Sequence, residues 1–316
     1  MKNRRIRMLS AVGKGIVALF LIAMGCFFQA EAARAVEGDT GQTFRIGVSS
    51  RAFGNVNKND ASAALKAWGE MIKREQNFKG KFDTTLLTLS GKEIRKSFLN
   101  GEFDGIGLSV AELKEMDLAP EFVFVGNRGD GIYIRYILIT HVEEKIATPR
   151  DLAKRKIVTS ENNEMVLAEE WLEGLMAEQA PGERIGLPTV VETLPKAIFQ
   201  VFFHQADAAI VTRESFDLAG ELNPQIRKNI KVLWESPPLV AIVFLLKPAS
   251  GKKADWELLE RLVTHIGDTP AGRQMLTVIQ SSRMEKCPLS VLDATFDLLG
   301  IRERMAADSI SKAERE

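Results

Sequence analysis

Short apolar runs along the chain alternate with longer stretches whose apolar residues recur at helical spacing, the pattern of an α/β domain with a largely parallel sheet. Residues 43–48 form the first β-prone run. After a Gly/Asn-rich loop, residues 60–75 set Ala64, Leu65, Trp68, Met71 and Ile72 on one helical face. Strands are predicted next at 82–89, 105–108 and 122–125, with helices opening at Ser90 and Ser109. Glu93 follows Ser90 at capping-box spacing.

A long β-rich run at 132–140 then leads into a second series of the same kind. It holds a short helix from Pro149, strands at 157–159, 189–191, 206–211 and 230–234, and helices at 163–177, 194–203 and 214–222. Residues 240–246 make a second long β run, after which the pattern is helical at 254–266, 270–281 and 289–299. Two αβ series joined by one long strand outward and another back predict two lobes on a two-stranded hinge. In open α/β sheets ligands sit beyond the carboxyl ends of the strands, so the residues just after each strand are the ones to watch.

The first 42 residues stand outside this pattern. Lys2, Arg4, Arg5 and Arg7 make a basic start, residues 15–28 are almost wholly apolar, and Ala30-x-Ala32 follows, the order of a cleavable secretory signal peptide spanning residues 1–32. The run is shorter than the roughly 20 apolar residues a membrane-spanning helix needs. An uncleaved anchor is the alternative. Lipidation at Cys26 is another, against which Phe27 and Phe28 argue by continuing the apolar run. A polar linker, 33–42, precedes the domain, and a charged tail at 301–316 follows it.

Removing the signal segment takes away five of the 42 Lys and Arg and one of the 42 Asp and Glu, leaving a net charge of about −4. A mildly acidic surface argues against nucleic acid as a partner, which would require a basic patch or stripe. Cys287 alone survives cleavage, so no internal disulfide and no cysteine-based metal site is available. His141, His204 and His265 are scattered without ligand spacing, and no metal or cofactor is expected.

Hydroxyl residues recur at the strand-to-helix junctions. Ser49, Ser50, Ser90, Ser109, Thr159, Ser160 and Thr212 are candidates to hold an oxyanion together with free amides at helix N-termini, although each is also an ordinary cap. Arg51 and Arg213, one from each lobe, are the candidate cations for bidentate contact with a phosphonate, phosphate or carboxylate. Glu161 and Glu192 would meet a cationic group on the ligand or stay solvated, and Tyr133 or Tyr136 on the first hinge strand would line the cleft or pack against the returning strand. The chain has no nucleophile elbow, P-loop, dinucleotide fingerprint or His-Glu-x-x-His, which argues against an enzyme.

Several segments then follow in a familiar order: Phe44-Arg45-Ile46-Gly47-Val48, Gly101-Glu102-Phe103-Asp104-Gly105-Ile106-Gly107, Pro149-x-Asp151-Leu152-Ala153, Gln205-Ala206-Asp207-Ala208-Ala209 and Lys231-Val232-Leu233-Trp234-Glu235-Ser236-Pro237. Over residues 43–299 the chain resembles the phosphonate/phosphate/phosphite-type substrate-binding proteins of ABC transporters. The resemblance implies a type II periplasmic-binding fold, with lobe 1 at 43–140 plus 241–300 and lobe 2 at 141–240, each a mostly parallel sheet flanked by helices. It implies a periplasmic monomer that closes on a small anionic or zwitterionic ligand and hands it to an inner-membrane permease. The same fold serves as a sensor input for histidine kinases and as an enzyme or binder of thiamin precursors, so these remain alternatives. The family's Ser-Thr-Ser-Gly-type loop is replaced by Thr159-Ser160-Glu161-Asn162-Asn163, and of it only Thr159 and Ser160 carry across as oxyanion contacts.

Overall fold

The computed structural model describes residues 43–53, 58–75, 80–128, 131–160, 163–183, 185–248 and 250–300. The expected signal peptide, linker and tail lie outside them, as does Glu161. In chain order the strands are β1 (Thr43–Ser49), β2 (Lys81–Leu87), β3 (Gly105–Ser109), β4 (Phe122–Asn127), β5 (Tyr136–His141), β6 (Ile157–Ser160), β7 (Thr189–Val191), β8 (Ala208–Thr212), β9 (Ile230–Glu235), β10 (Ile242–Leu246) and β11 (Arg283–Pro288). The helices are α1 (Lys58–Glu75), α2 (Gly91–Leu99), α3 (Val110–Glu115), α4 (Ala168–Gln179), α5 (Leu194–Phe202), α6 (Arg213–Leu222), α7 (Pro224–Asn229), α8 (Lys253–Thr264) and α9 (Pro270–Val278), and residues 293–300 are helical as well.

Two sheets result, ordered β11-β4-β10-β3-β1-β2 and β7-β6-β8-β5-β9. The expected parallel pairing is present in β2-β1-β3 and β7-β6-β8. Strands that arrive from the other lobe run the opposite way, so β10 beside β3 and β5 beside β8 make each sheet mixed. Strands β5, β6 and β8 are buried along their whole length, which is why they read as continuous apolar runs. The run at 132–140 divides: residues 136–141 form β5 of the second sheet, while Ile134 makes a single antiparallel bridge to Leu239. That bridge ties the two connecting segments to each other through amide–carbonyl bonds of 2.8 and 2.9 Å.

Each sheet is pinned at its amino-terminal side by the same device. The Asp104 carboxylate accepts the Arg45 amide at 2.8 Å, and the Asp207 carboxylate accepts the Lys156 amide at 2.7 Å, so an aspartate preceding β3 or β8 fixes the start of its parallel neighbour. Before Asp104, α2 ends in a Schellman motif with Gly101 at φ +74, closed by Gly101 N–H to Phe98 O and Glu102 N–H to Ser97 O.

One expectation fails outright: residues after 246 are not helical throughout. β11 pairs with the β4 edge over six residues. Arg283-Met284-Glu285-Lys286 shows no apolar alternation, because this outermost strand shields the sheet with charge. Lys286 lies 4.2 Å from the centroid of the Phe122 ring and bonds Glu260 at 2.9 Å. Cys287 therefore sits on a sheet edge rather than a helix, with its thiol pushed up by burial and by the charge of Glu285. The helix at 293–300 reaches the hinge: the Thr295 hydroxyl accepts from the Val240 amide at 3.0 Å and donates to its carbonyl at 3.1 Å.

Candidate functional site

The carboxyl ends of the parallel strands in both sheets abut the hinge. Val110, just past β3, donates its amide to Ala241 at 2.9 Å, and Arg213, just past β8, donates to Arg135 at 2.8 Å. The junction residues of the two sheets therefore flank the same two connecting segments, the geometry of a cleft between lobes.

On the first sheet the structure brings together Ser49, Arg51, Ser90 and Ser109, but around carboxylates of the protein itself. Glu112, fully buried, accepts from the Ser49 hydroxyl at 2.5 Å through Oε1, and from the Ser109 amide and hydroxyl at 2.9 and 3.0 Å through Oε2. Its own amide donates to Ser109 Oγ at 3.2 Å, completing a capping box at the start of α3. Ser90 is bound in the same manner by Glu93 at the start of α2, and the next amide, that of Gly91, donates to Glu115 at 3.1 Å. These backbone and hydroxyl donors, which a helix N-terminus would otherwise offer to an anion, are thus already satisfied. Arg51 bonds Glu115 at 2.9 Å and stands 3.9 Å from Glu112. Its guanidinium is held above its ordinary value, chiefly by the hydrogen bond to Glu115, against desolvation and with help from the charges of Glu115 and Glu112. Ser50 opens a 3-10 turn over Ser50–Phe53 and is half-buried.

The second sheet is less satisfied. Ser160, at the end of β6, is 3% exposed and its hydroxyl has no hydrogen-bond partner among the described residues. Thr159 beside it donates to the Ile210 carbonyl at 3.3 Å, and Thr212 caps α6 by accepting from Ser215. Arg213 pairs with Glu235, which Arg135 also approaches at 4.0 Å. Glu192 is exposed and paired with Lys196, which holds its carboxyl below the usual range. Tyr133 is largely exposed, whereas Tyr136 is fully buried, donates its hydroxyl to the Glu164 carbonyl at 2.6 Å and has that hydroxyl pushed up by desolvation.

Sequence reasoning missed Arg128. It directly follows β4, and it bonds Glu164 of the second lobe at 2.6 Å, with side chains only 12% and 15% exposed. The signal was its place just after a strand, the same rule that picked out the other junctions. Arg128 is also the charged residue lining an apolar cavity of about 140 Å³ behind the first sheet, between the strands and α1, α8 and α9.

A family model for the periplasmic substrate-binding protein of phosphonate ABC transporters matches residues 90–290, more than half of the 316. The chain belongs to that family. Membership carries a periplasmic location, a small-molecule ligand, a permease partner and a role in transport. Among solved structures, the binding protein is similar to XAC2383 from Xanthomonas citri. The ATP-bound form matches at 12% identity over 84% of this chain and 98% of that one, with a TM-score of 0.52. The chloride-bound form matches at 12% identity over 84% and 99%, with a TM-score of 0.51. PhnD1 from Prochlorococcus marinus in complex with methylphosphonate is similar at 12% identity over 81% and 96%, with a TM-score of 0.46. At these identities the likeness is one of fold. No curated protein matches the sequence.

Proposed function

We propose that the protein is a monomeric solute-binding protein, exported by cleavage after Ala32, that closes on a small zwitterion carrying a phosphonate-like oxyanion and a positive group. The observation that carries this reading is the contrast between the two walls. Ser160 offers a buried, unpartnered hydroxyl at the end of β6. The opposite wall carries Glu93, Glu112 and Glu115 where helix N-termini would otherwise receive an anion. A dianion brought to the first lobe would meet carboxylates and an Arg51 already paired with Glu115, whereas an ammonium there would share Glu115. The oxyanion then falls to the second lobe, with Ser160 as donor and Arg213 released from Glu235 on closure.

Thermal unfolding of the purified protein tests this against phosphate, phosphite, an alkylphosphonate, an aminoalkylphosphonate, a sulfonate and amino acids. A ligand at one hundred times its Kd stabilises by about 2.7 kcal/mol, a shift of several degrees. The aminoalkylphosphonate is expected to give the largest shift. A larger shift with the alkylphosphonate lacking the amine would overturn the charge assignment, and no shift with any member would overturn the solute-binding reading.

A further inference from the structure

At the end of the second sheet remote from the hinge, three side chains that are distant in sequence converge. His141 is the last residue of β5, Glu143 lies in the turn that follows, and His204 closes α5 before β8 begins. The His141 and His204 rings stand 3.9 Å apart between centroids. Glu143 Oε2 lies 3.8 Å from His141 Nδ1 and 3.7 Å from His204 Nε2, and one ligand atom from each residue falls within 4.8 Å of the other two. The scattered histidines of the sequence are thus brought together by the fold, because β5 and the α5–β8 connection meet at the same end of the sheet.

Two local features orient the imidazoles. The Glu143 amide donates to His141 Nδ1 in a long bond of 3.3 Å, which holds the ring beside Glu143 and which an ion on that nitrogen would displace. His204 has φ +55, in a Schellman motif closed by His204 N–H to Val201 O and Gln205 N–H to Gln200 O. Glycine ordinarily holds that position, since a Cβ is disfavoured in the left-handed region. Here a histidine occupies it, and its ring lies against His141.

We propose that His141, Glu143 and His204 bind one divalent transition-metal ion of the zinc class. Two imidazoles and a carboxylate form a donor set of borderline softness suited to Zn²⁺ and ill suited to Mg²⁺. In a tetrahedral site with metal–ligand bonds of about 2.1 Å the donor atoms stand about 3.4 Å apart, so the two histidine–Glu143 separations need to close by a few tenths of an ångström, and the two imidazole nitrogens start within 4.8 Å of each other. The His141 side chain is 8% exposed, whereas those of His204 and Glu143 are 47% and 74% exposed. The buried histidine anchors the site, the two exposed ligands close on the ion, and the open side leaves the fourth position to water. Glu144 is engaged by Arg155 at 3.5 Å and stands outside the set. Tyr136, at the other end of β5, pairs with Thr212 beside the cleft, so the site lies about 17 Å away along the strand and is independent of solute binding.

Chelator-competition titration of the full protein, purified without a histidine tag, tests the proposal with Zn²⁺ and with Mg²⁺. Wild type is expected to take up one equivalent of Zn²⁺ at micromolar affinity or better and no Mg²⁺. His204→Asn, which tolerates the left-handed backbone, and Glu143→Gln are each expected to weaken Zn²⁺ binding at least tenfold while leaving circular dichroism unchanged. Absence of saturable one-to-one binding, or wild-type affinity in both variants, would overturn the assignment.

Discussion

Replacing Glu112 by alanine removes the acceptor of three donors at once: the Ser49 hydroxyl, the Ser109 amide and the Ser109 hydroxyl, all of them buried. A hydrogen bond to a charged group contributes about 1.5–3 kcal/mol, but hydroxyls can turn toward other acceptors, so the amide and one hydroxyl carry most of the loss. Adding about 1 kcal/mol for the broken cap gives about 4 kcal/mol in total, the usual scale for breaking a buried charged network. Glu112→Gln keeps the length and one carbonyl oxygen, and turns an amide donor toward a Ser49 hydroxyl that can accept, so it should cost about 1–2 kcal/mol. Urea denaturation of wild type and both variants, comparing slope as well as midpoint, measures this difference, and the alanine variant should melt about 10 °C lower. Alanine also leaves a space framed by two serines and Arg51, so millimolar phosphate should restore part of the alanine variant's stability and none of wild type's. An alanine variant within about 1 kcal/mol of wild type, or a glutamine variant as damaged as alanine, would refute the reasoning.

Two other outcomes follow from the same interactions. A double-mutant cycle with Arg128→Met and Glu164→Gln should show about 1–3 kcal/mol of coupling, since the pair is largely buried and joins the lobes, and additive effects would contradict that contact. Glu93 lies below the usual carboxylate value first through the Ser90 amide and then its hydroxyl, and Asp151 through the Ala147 and Thr148 amides and the Thr148 hydroxyl. Because these values are lower folded than unfolded, the stability they add is present above about pH 4 and is lost as pH falls below it. Melting temperatures from pH 6 to 3 should therefore fall less steeply in a Glu93→Gln/Asp151→Asn variant, and equal slopes would count against both caps.

Most of the fold was legible because central strands such as β5, β6 and β8 are buried along their whole length and several helices carry their own start signals. Ser90 with Glu93 was read as a capping box, and the structure forms it. The same spacing at Ser109 and Glu112 went unread, although it places the most consequential carboxylate of the first lobe. β11 escaped because an edge strand guarded by Arg283, Glu285 and Lys286 lacks the alternation by which strands are recognised. Pairing across the chain was illegible in principle. Nothing local links Arg51 to Glu115, Arg213 to Glu235, Arg128 to Glu164 or His141 to His204, since each pair meets only when separate elements reach one end of a sheet. The hydroxyl-rich junctions were found where expected, but their chemistry depends on which carboxylates already occupy them.

The central claim is that the second lobe receives the oxyanion through Ser160 while the first lobe's carboxylates receive a positive charge. Isothermal titration of an aminoalkylphosphonate into wild type, Ser160→Ala and Glu115→Gln tests both halves at once. The account predicts one-to-one binding in wild type and affinity reduced about tenfold or more in each variant, as expected for losing one hydrogen bond to a charged group in a closed cleft. Binding that survives both substitutions unchanged would contradict it.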